Sequence, residues 1–190
     1  MQRVGDVLSG VAARTNVNLE SLGDTMKYLG GAEDLNISLE QAAAMAGLMG
    51  NIGIQGSQAG TAMRAMMNRL TAPAKSGIKA MEAIGLKVAD SNGQMRDMPD
   101  LLQDIAKATE HMGNVQRKQI MKDIFGTEAG SGMTELVSAM ASGDLLPLLN
   151  ELQNGVTGEN AKMANIMADN IGGDLNGLVS AWQEAGIAMT

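Results

Sequence analysis

With 190 residues, no cysteine, and one Trp, one Tyr and one Phe, the chain is long enough for one domain, or one domain plus an extension. It has no means of building a disulfide framework, a thiolate zinc site or a cysteine nucleophile. A formal net charge of −7 argues against a phosphate-binding surface, because nucleic-acid affinity comes mostly from clustered Lys and Arg, so no sequence-specific nucleic acid is expected as a partner.

The apolar share of 45% is ordinary and argues against disorder throughout, but 17 Met and 24 Gly stand where most cores put branched and aromatic residues. Met adapts to irregular gaps, so this composition suits either a chain that repacks or an Ala/Met-rich helical core. The periodicity is helical almost throughout. Residues 1–14 place Val4, Val7, Leu8 and Val11 on one face. Asn18 suits the N-cap of a second helix carrying Leu19, Leu22, Met26 and Leu29, which Gly30 and Gly31 stop. Ser38 to Gln41 reads as a capping box opening a helix with Leu39, Ala42, Ala43 and Ala46, followed by a loop over 50–56. A fourth helix runs from about Ser57 to Leu70 with Ala59, Met63, Met66 and Leu70 on one face, and Pro73 suits the first turn of a fifth carrying Ile78, Met81 and Ile84 and ending at Gly85. The start MQRVGDVLSG lacks the basic head and apolar run of a signal peptide. The nearest approach to a membrane span, 42-AAAMAGLMGNIGI-54, is short, is interrupted by Asn51, and reads as a buried helix.

The stretch 86-LKVADSNGQMRDM-98 breaks the helical pattern. Asn92-Gly93 signals a two-residue hairpin turn, in which both central residues need a positive φ. Leu86, Val88, Met95 and Met98 flank it, so a small β-hairpin with a few residues per arm is expected. Pro99 then opens a helix carrying Leu101, Leu102, Ile105, Thr109 and Met112. Another carries Ile120, Met121, Ile124 and Phe125 and is broken at Gly126, and 127-TEAGSG-132 reads as a loop. Helices near 133–141 and 144–154 follow, the second with Leu145, Leu146, Leu148, Leu149 and Leu152.

From Ala164 the apolar positions step through Ala168, Ile171, Leu175, Leu178, Trp182, Ala185 and Met189, alternating four and three, the period of a coiled-coil seam. Gly172, Gly173 and Gly177 weaken that helix by about 1 kcal/mol each relative to Ala. The pattern is still running at Thr190, so the chain reads as cut from something longer. The expectation is an all-α fold: a multi-helix domain over 1–160 with one hairpin, and a helical extension over 161–190. The extension's seam of Ile171, Leu175, Leu178, Trp182 and Met189 is expected to be the face by which the chain associates with copies of itself.

Residues that could carry chemistry are sparse. The single histidine, His111, has no carboxylate three or four residues away on its face. Ser9 and Ser131 lie in no nucleophile elbow. Arg117, Lys118 and Lys122 fit one solvated helix face. Gly53, Gly56 and Gly60 lack the Lys-Ser/Thr ending and preceding strand of a phosphate loop; Gly56 and Gly60, with Ala59 and Ala62, instead suit close approach of another backbone. Cleavage of glycans needs two positioned carboxylates and usually aromatic platforms, which this composition does not favour. Neither an enzyme nor a cofactor or metal site is expected.

Three ordered runs carry a family resemblance: 53-GIQGSQAGTAMRAMMNRLTAP-73, 84-IGLKVADSNGQMRDMPDLLQDIAKA-108 and 120-IMKDIFGTEA-129. Their Gly53, Gly56, Gly60, Arg64, Leu70, Pro73, Gly85, Asp90, Gly93, Asp97, Phe125 and Gly126 form a pattern that resembles the core region of phage tail tape-measure proteins. The stretch 20–49 is similar to that family too, so the resemblance covers nearly the whole chain. It departs at 126-GTEAGSG-132, where a basic residue would be expected soon after Phe125-Gly126. The resemblance implies a structural component of a phage, prophage or phage-derived contractile particle, lying in the tail lumen. There it sets tail length, then leaves ahead of the DNA. It implies as partners further copies of itself, the tail tube protein, tail-assembly chaperones and tail-hub or baseplate proteins. Two other roles fit the same residues: a membrane-active segment, with 42–54 and the Met-rich helix acting on the host inner membrane, or a binding module for chaperones or hub proteins.

Overall fold

A computed structural model describes residues 2–166 and is built from helices. In chain order these are α1 (Gln2–Ala12), α2 (Leu19–Met26), a 3-10 turn (Glu33–Leu35), α3 (Leu39–Asn51), α4 (Gly56–Thr71), α5 (Lys75–Ala83), α6 (Met98–Thr109), α7 (Asn114–Ser142) and α8 (Leu145–Asn154). A further helical run covers 159–166. The heptad seam Ile171–Met189 lies outside the described residues.

The centre of the fold is α3, against which α1, α2, α4, α7 and α8 all pack. Every residue from Gln41 to Gly50 is buried, so this helix has no solvent face. Its sequence suits that place. Ala42, Ala43, Ala44 and Ala46 make a slender cylinder, and the two glycines are points of contact. A Cβ on Gly47 would lie 2.6 Å from Cγ1 of Val11 and 2.9 Å from Cγ2 of Thr15, and one on Gly50 would collide with Val17. The apolar run that falls short of a membrane span is therefore the helix on which the rest is assembled. Around it, α4 packs on α2 and on α7, and α7 in turn packs on α5 and α6. Met45, Met49, Met63, Met66, Met98 and Met121 are among the largest fully buried side chains, filling the irregular gaps between these crossings.

Helix starts follow the expected chemistry. Asn18 accepts the amide of Ser21, and Ser38 with Gln41 closes a reciprocal capping box. Other expectations need correction. Val4, Ile78 and Leu146 are exposed. On α1 the buried face is instead Asp6, Val7, Ser9, Gly10 and Val11, because Gly10 seats against Val156 and Leu152. On α5 it is Gly77, Ala80 and Met81. Pro73 precedes the N-cap Ala74 and so lies outside α5, and α2 ends at Met26, with Leu29 buried in the turn beyond.

The run 127–132 is helical, the larger departure. α7 is 29 residues long and only Gly126, at φ 78 and ψ 178, leaves helical geometry. Its glycines read locally as a loop, but tertiary packing overrides that propensity. Gly132 lies under Met49, with a Cβ position 2.9 Å from the Met49 methyl, and Gly130 lies on the backbone of Lys122.

In place of a hairpin with arms, residues 86–97 form a turn with one isolated antiparallel bridge between Ala89 and Met95. Among the described non-glycine residues only Asn36 has a positive φ, so Asn92 does not take the conformation a two-residue turn requires. The Asp90 amide donates to the Gln94 carbonyl at 2.8 Å and Gly93 carries the positive φ. The result is a three-residue loop closed by a glycine.

Candidate functional site

The family-pattern residues fall into three joints between helices. At the first, α4 meets the end of α2. Gly60 faces the Tyr28 ring, where a Cβ would lie 2.7 Å from the ring carbons. One turn on, Arg64 sets its guanidinium 5.1 Å from the centre of that ring and donates through Nε to the Tyr28 carbonyl at 3.1 Å. Thr25 Oγ1 donates to the Gly56 carbonyl at 3.0 Å, so Gly56 is held by a hydroxyl. The close approach expected of another backbone is here an approach of a tyrosine ring. Gly53, at φ 84, lies in the turn where the Ile54 amide reaches back to the Met49 carbonyl and ends α3.

The second joint ties α3 to α6. Gln41 Oε1 accepts the Ser38 amide at 3.1 Å, and Ser38 Oγ accepts the Gln41 amide at 3.2 Å. Gln41 Nε2 then donates to Asp97 Oδ1 at 2.6 Å. Asp97 occupies the N-cap position of α6 without capping it by its side chain, because its carboxylate is turned to Gln41. Beside it, Asp90 Oδ1 accepts the amides of Asn92 at 2.8 Å and Gln94 at 2.9 Å, which fixes the turn. Arg96 donates to the Lys87 carbonyl at 2.9 Å and pairs with Asp104 at 2.8 Å, which pins the turn to α6. Gly85, at φ 68, ends α5 with the Leu86 amide on the Met81 carbonyl.

The third joint is the bend of α7. Phe125 is buried, Leu70 is buried on α4, and the Arg69 guanidinium comes within 3.4 Å of where a Gly126 Cβ would be. Pro73 borders Gly77, where a Cβ would lie 3.1 and 3.4 Å from the carbonyl oxygens of Asp123 and Ile124, so the glycine lets α5 pack closely on α7.

Several residues that sequence reasoning passed over make long-range links. Arg3 pairs with Glu40 at 2.7 Å and donates to the carbonyls of Leu152 at 2.7 Å and Gln153 at 3.0 Å, joining α1, α3 and the end of α8. Buried Asp6 accepts the Asn160 amide at 3.0 Å and so caps the 159–166 helix from outside. Arg117 leaves the expected solvated basic face: it donates to the carbonyls of Thr109 and Glu110 at 3.1 and 3.2 Å, where they close α6. A lone glycine inside a helical pattern, Gly77, was the available signal of tight packing; Arg3 and Asp6 gave none, since their partners are distant in sequence.

His111 is exposed. Among the described residues no group of three or more His, Cys, Asp or Glu could hold a metal ion, and no helix is long and apolar enough to cross a membrane. At the surface, hydrogen bonding and charge from Asp24 push the Lys27 ammonium up.

Residues 1–126 match the family model of the phage-related minor tail proteins. The chain is 34% identical over 186 residues to the probable tape measure protein of Escherichia phage P2, covering 96% of this chain and 23% of that protein. It is 31% identical over 185 residues to the tape measure protein of Pneumococcus phage Dp-1, covering 97% of this chain and 16% of that one. The chain thus spans less than a quarter of the length of either relative. No solved structure matches it.

Proposed function

Because the chain belongs to the phage-related minor tail protein family, we propose that it is a stretch of a tape-measure protein, a structural component of a phage tail that takes part in setting tail length. The observation that carries this reading is the 34% identity over 96% of the chain to a relative named as a probable tape measure protein. The geometry supports it in one respect. The family-pattern residues end helices, bend one, join two, shape the turn between α5 and α6 or pack the core, so the pattern serves helical architecture. On this reading the protein is not an enzyme, and it lies in the tail lumen of the virion after assembly in the host cytoplasm. A helix advances about 1.5 Å per residue, which converts residue number into length. The net charge of −7 keeps the chain from holding DNA that must follow it. The proposed partners are the tube protein that surrounds it, assembly chaperones that coat it beforehand, and the tail hub.

The test is an in-frame deletion of these residues from the full-length protein in the phage or prophage that encodes it, with tails measured by electron microscopy. Tails should be uniformly shorter, by at most about 1.5 Å per residue removed. Tails made in normal number at unchanged length would sink the ruler role of this stretch. Self-association through Ile171, Leu175, Leu178, Trp182 and Met189 belongs to the same proposal. Leu175→Asp with Leu178→Asp should lower the mass seen by light scattering, and an unchanged mass counts against the seam.

A further inference from the structure

The bend in α7 separates the fold into two parts that a single residue connects. Before it come α1 to α6 and the first arm of α7; after it come the second arm, α8 and the helical run 159–166. No loop intervenes, because helical geometry holds on both sides and Gly126 alone departs from it. The region matched by the family model, residues 1–126, ends at this same glycine. The arms fold sharply on each other: a Cβ on Gly130 would lie 3.8 Å from Cα of Lys122.

We propose that Gly126 is a hinge through which two copies of this chain exchange their C-terminal parts, α7 straightening into one continuous helix in each. A straight α7 in a single copy would strip the buried Met133, Leu136, Val137 and Met140, and the buried leucines of α8, from α3, α4 and α6. That exposure is too costly for a lone molecule. In an exchanged pair the same surfaces are covered by the same residues from the other copy, and only the backbone of Gly126 has changed. The links that hold the C-terminal part in one molecule would then form between two: Arg3 to the carbonyls of Leu152 and Gln153, and Asp6 to the Asn160 amide. The second copy is the fitting occupant because no other partner carries these matched surfaces.

The backbone at Gly126 makes the proposal directional. At φ 78 and ψ 178 any L side chain is strained, whereas in a straight helix alanine is favoured over glycine. Gly126→Ala therefore penalises the bend and favours the straight helix at once. This inference stands apart from the tail reading, since it concerns how the chain pairs and not what the pair is for.

The experiment uses the 190-residue chain with Leu175→Asp and Leu178→Asp, so that the C-terminal seam adds no mass. Wild-type Gly126 and Gly126→Ala are each unfolded in denaturant, refolded across a range of protein concentrations, and measured by chromatography with light scattering. Wild type should give a species of twice 19.7 kDa whose fraction rises with concentration, and Gly126→Ala should raise that fraction at least about tenfold with helical circular dichroism retained. A Lys122→Cys, Gly130→Cys disulfide, formed in the folded monomer before unfolding, should abolish the pair; the close approach of the arms permits the bond and the chain has no other cysteine. Spin labels at exposed Val115→Cys and Ser138→Cys, diluted with unlabelled chain, should report an intrachain distance of about 35 Å in the pair and a distinctly shorter one in the monomer. Monomer alone from refolded wild type overturns the proposal, and so does a pair that survives the oxidised disulfide or keeps the monomer's label distance. If Gly126→Ala fails to fold, the wild-type refolding series decides by itself.

Discussion

At Gly60 the missing Cβ is what lets the Tyr28 ring lie against α4, with Arg64 above the ring. Adding a methyl there sets it 2.7 to 2.8 Å from three carbons of an aromatic side chain that Arg64 holds through both its face and its carbonyl. Such overpacking costs about 1–3 kcal/mol, so Gly60→Ala should lower the melting temperature by several degrees for a chain of this size. Gly23, on the neighbouring α2, has nothing within 4 Å of its Cβ position and has no positive φ. Gly23→Ala should therefore raise stability by about 0.5–1 kcal/mol, through helix propensity and a less disordered unfolded chain. The pair of variants separates a glycine that is space from a glycine that is only flexibility. Thermal unfolding followed by circular dichroism reads both, and equal shifts of the same sign would refute the distinction.

Gln41 is a hub between elements, capping α3 with one end of its amide and holding Asp97 at the mouth of α6 with the other. Gln41→Ala removes half of the capping box and leaves the Asp97 carboxylate without this donor, for a cost of about 1–3 kcal/mol. Asp97→Ala alone should cost less, since it leaves the box intact. In the double variant the losses should fall short of their sum by about 1 kcal/mol, a coupling that denaturant titration of all four proteins measures. Strict additivity would mean that the 2.6 Å contact contributes nothing to the joint between α3 and α6.

Elements of this kind show what the sequence made legible. The all-α class, the capping box, the Asn18 cap and the buried α3 were readable because helix starts and apolar runs are written in adjacent residues. The start of the second arm of α7, residues 127–132, was not, although the helix over 133–141 was. Its Gly130 and Gly132 signal a loop until the backbone of Lys122 and the side chain of Met49 arrive to fill their faces. The turn at 86–97 failed for a related reason: the Asp90 carboxylate binds two amides and imposes a three-residue loop on an Asn-Gly pair that locally prefers two. Which face of α1 and α5 is buried was set by Gly10 and Gly77, whose packing value appears only against a partner. At the site scale, the pattern residues were readable as a set, but their division into joints depends on Tyr28, Gln41 and Arg69, which lie outside it.

For the molecule as a whole, the abundance of small residues has a consequence for how it opens. α3 touches α1, α2, α4, α7 and α8, and its amides from Gln41 to Gly50 have no solvent face. Gly47 and Gly50 bring the α1–α2 segment so close that no lesser movement than its departure uncovers them. Exchange of these amides with deuterium should then require opening of the whole assembly, whereas the turn at 86–97, with its single bridge and exposed Asp90 to Gln94, should exchange through local fluctuation. Mass-spectrometric exchange should find α3 peptides at least about a hundredfold slower than those spanning the turn. Mild denaturant should change the two differently: α3 rates should rise with the same dependence as global unfolding, and turn rates should hardly move. If α3 exchanged as fast as the turn, the slender helix would not be the packing centre. The Ala, Gly and Met composition would then reflect a loosely held bundle instead of a closely stacked one.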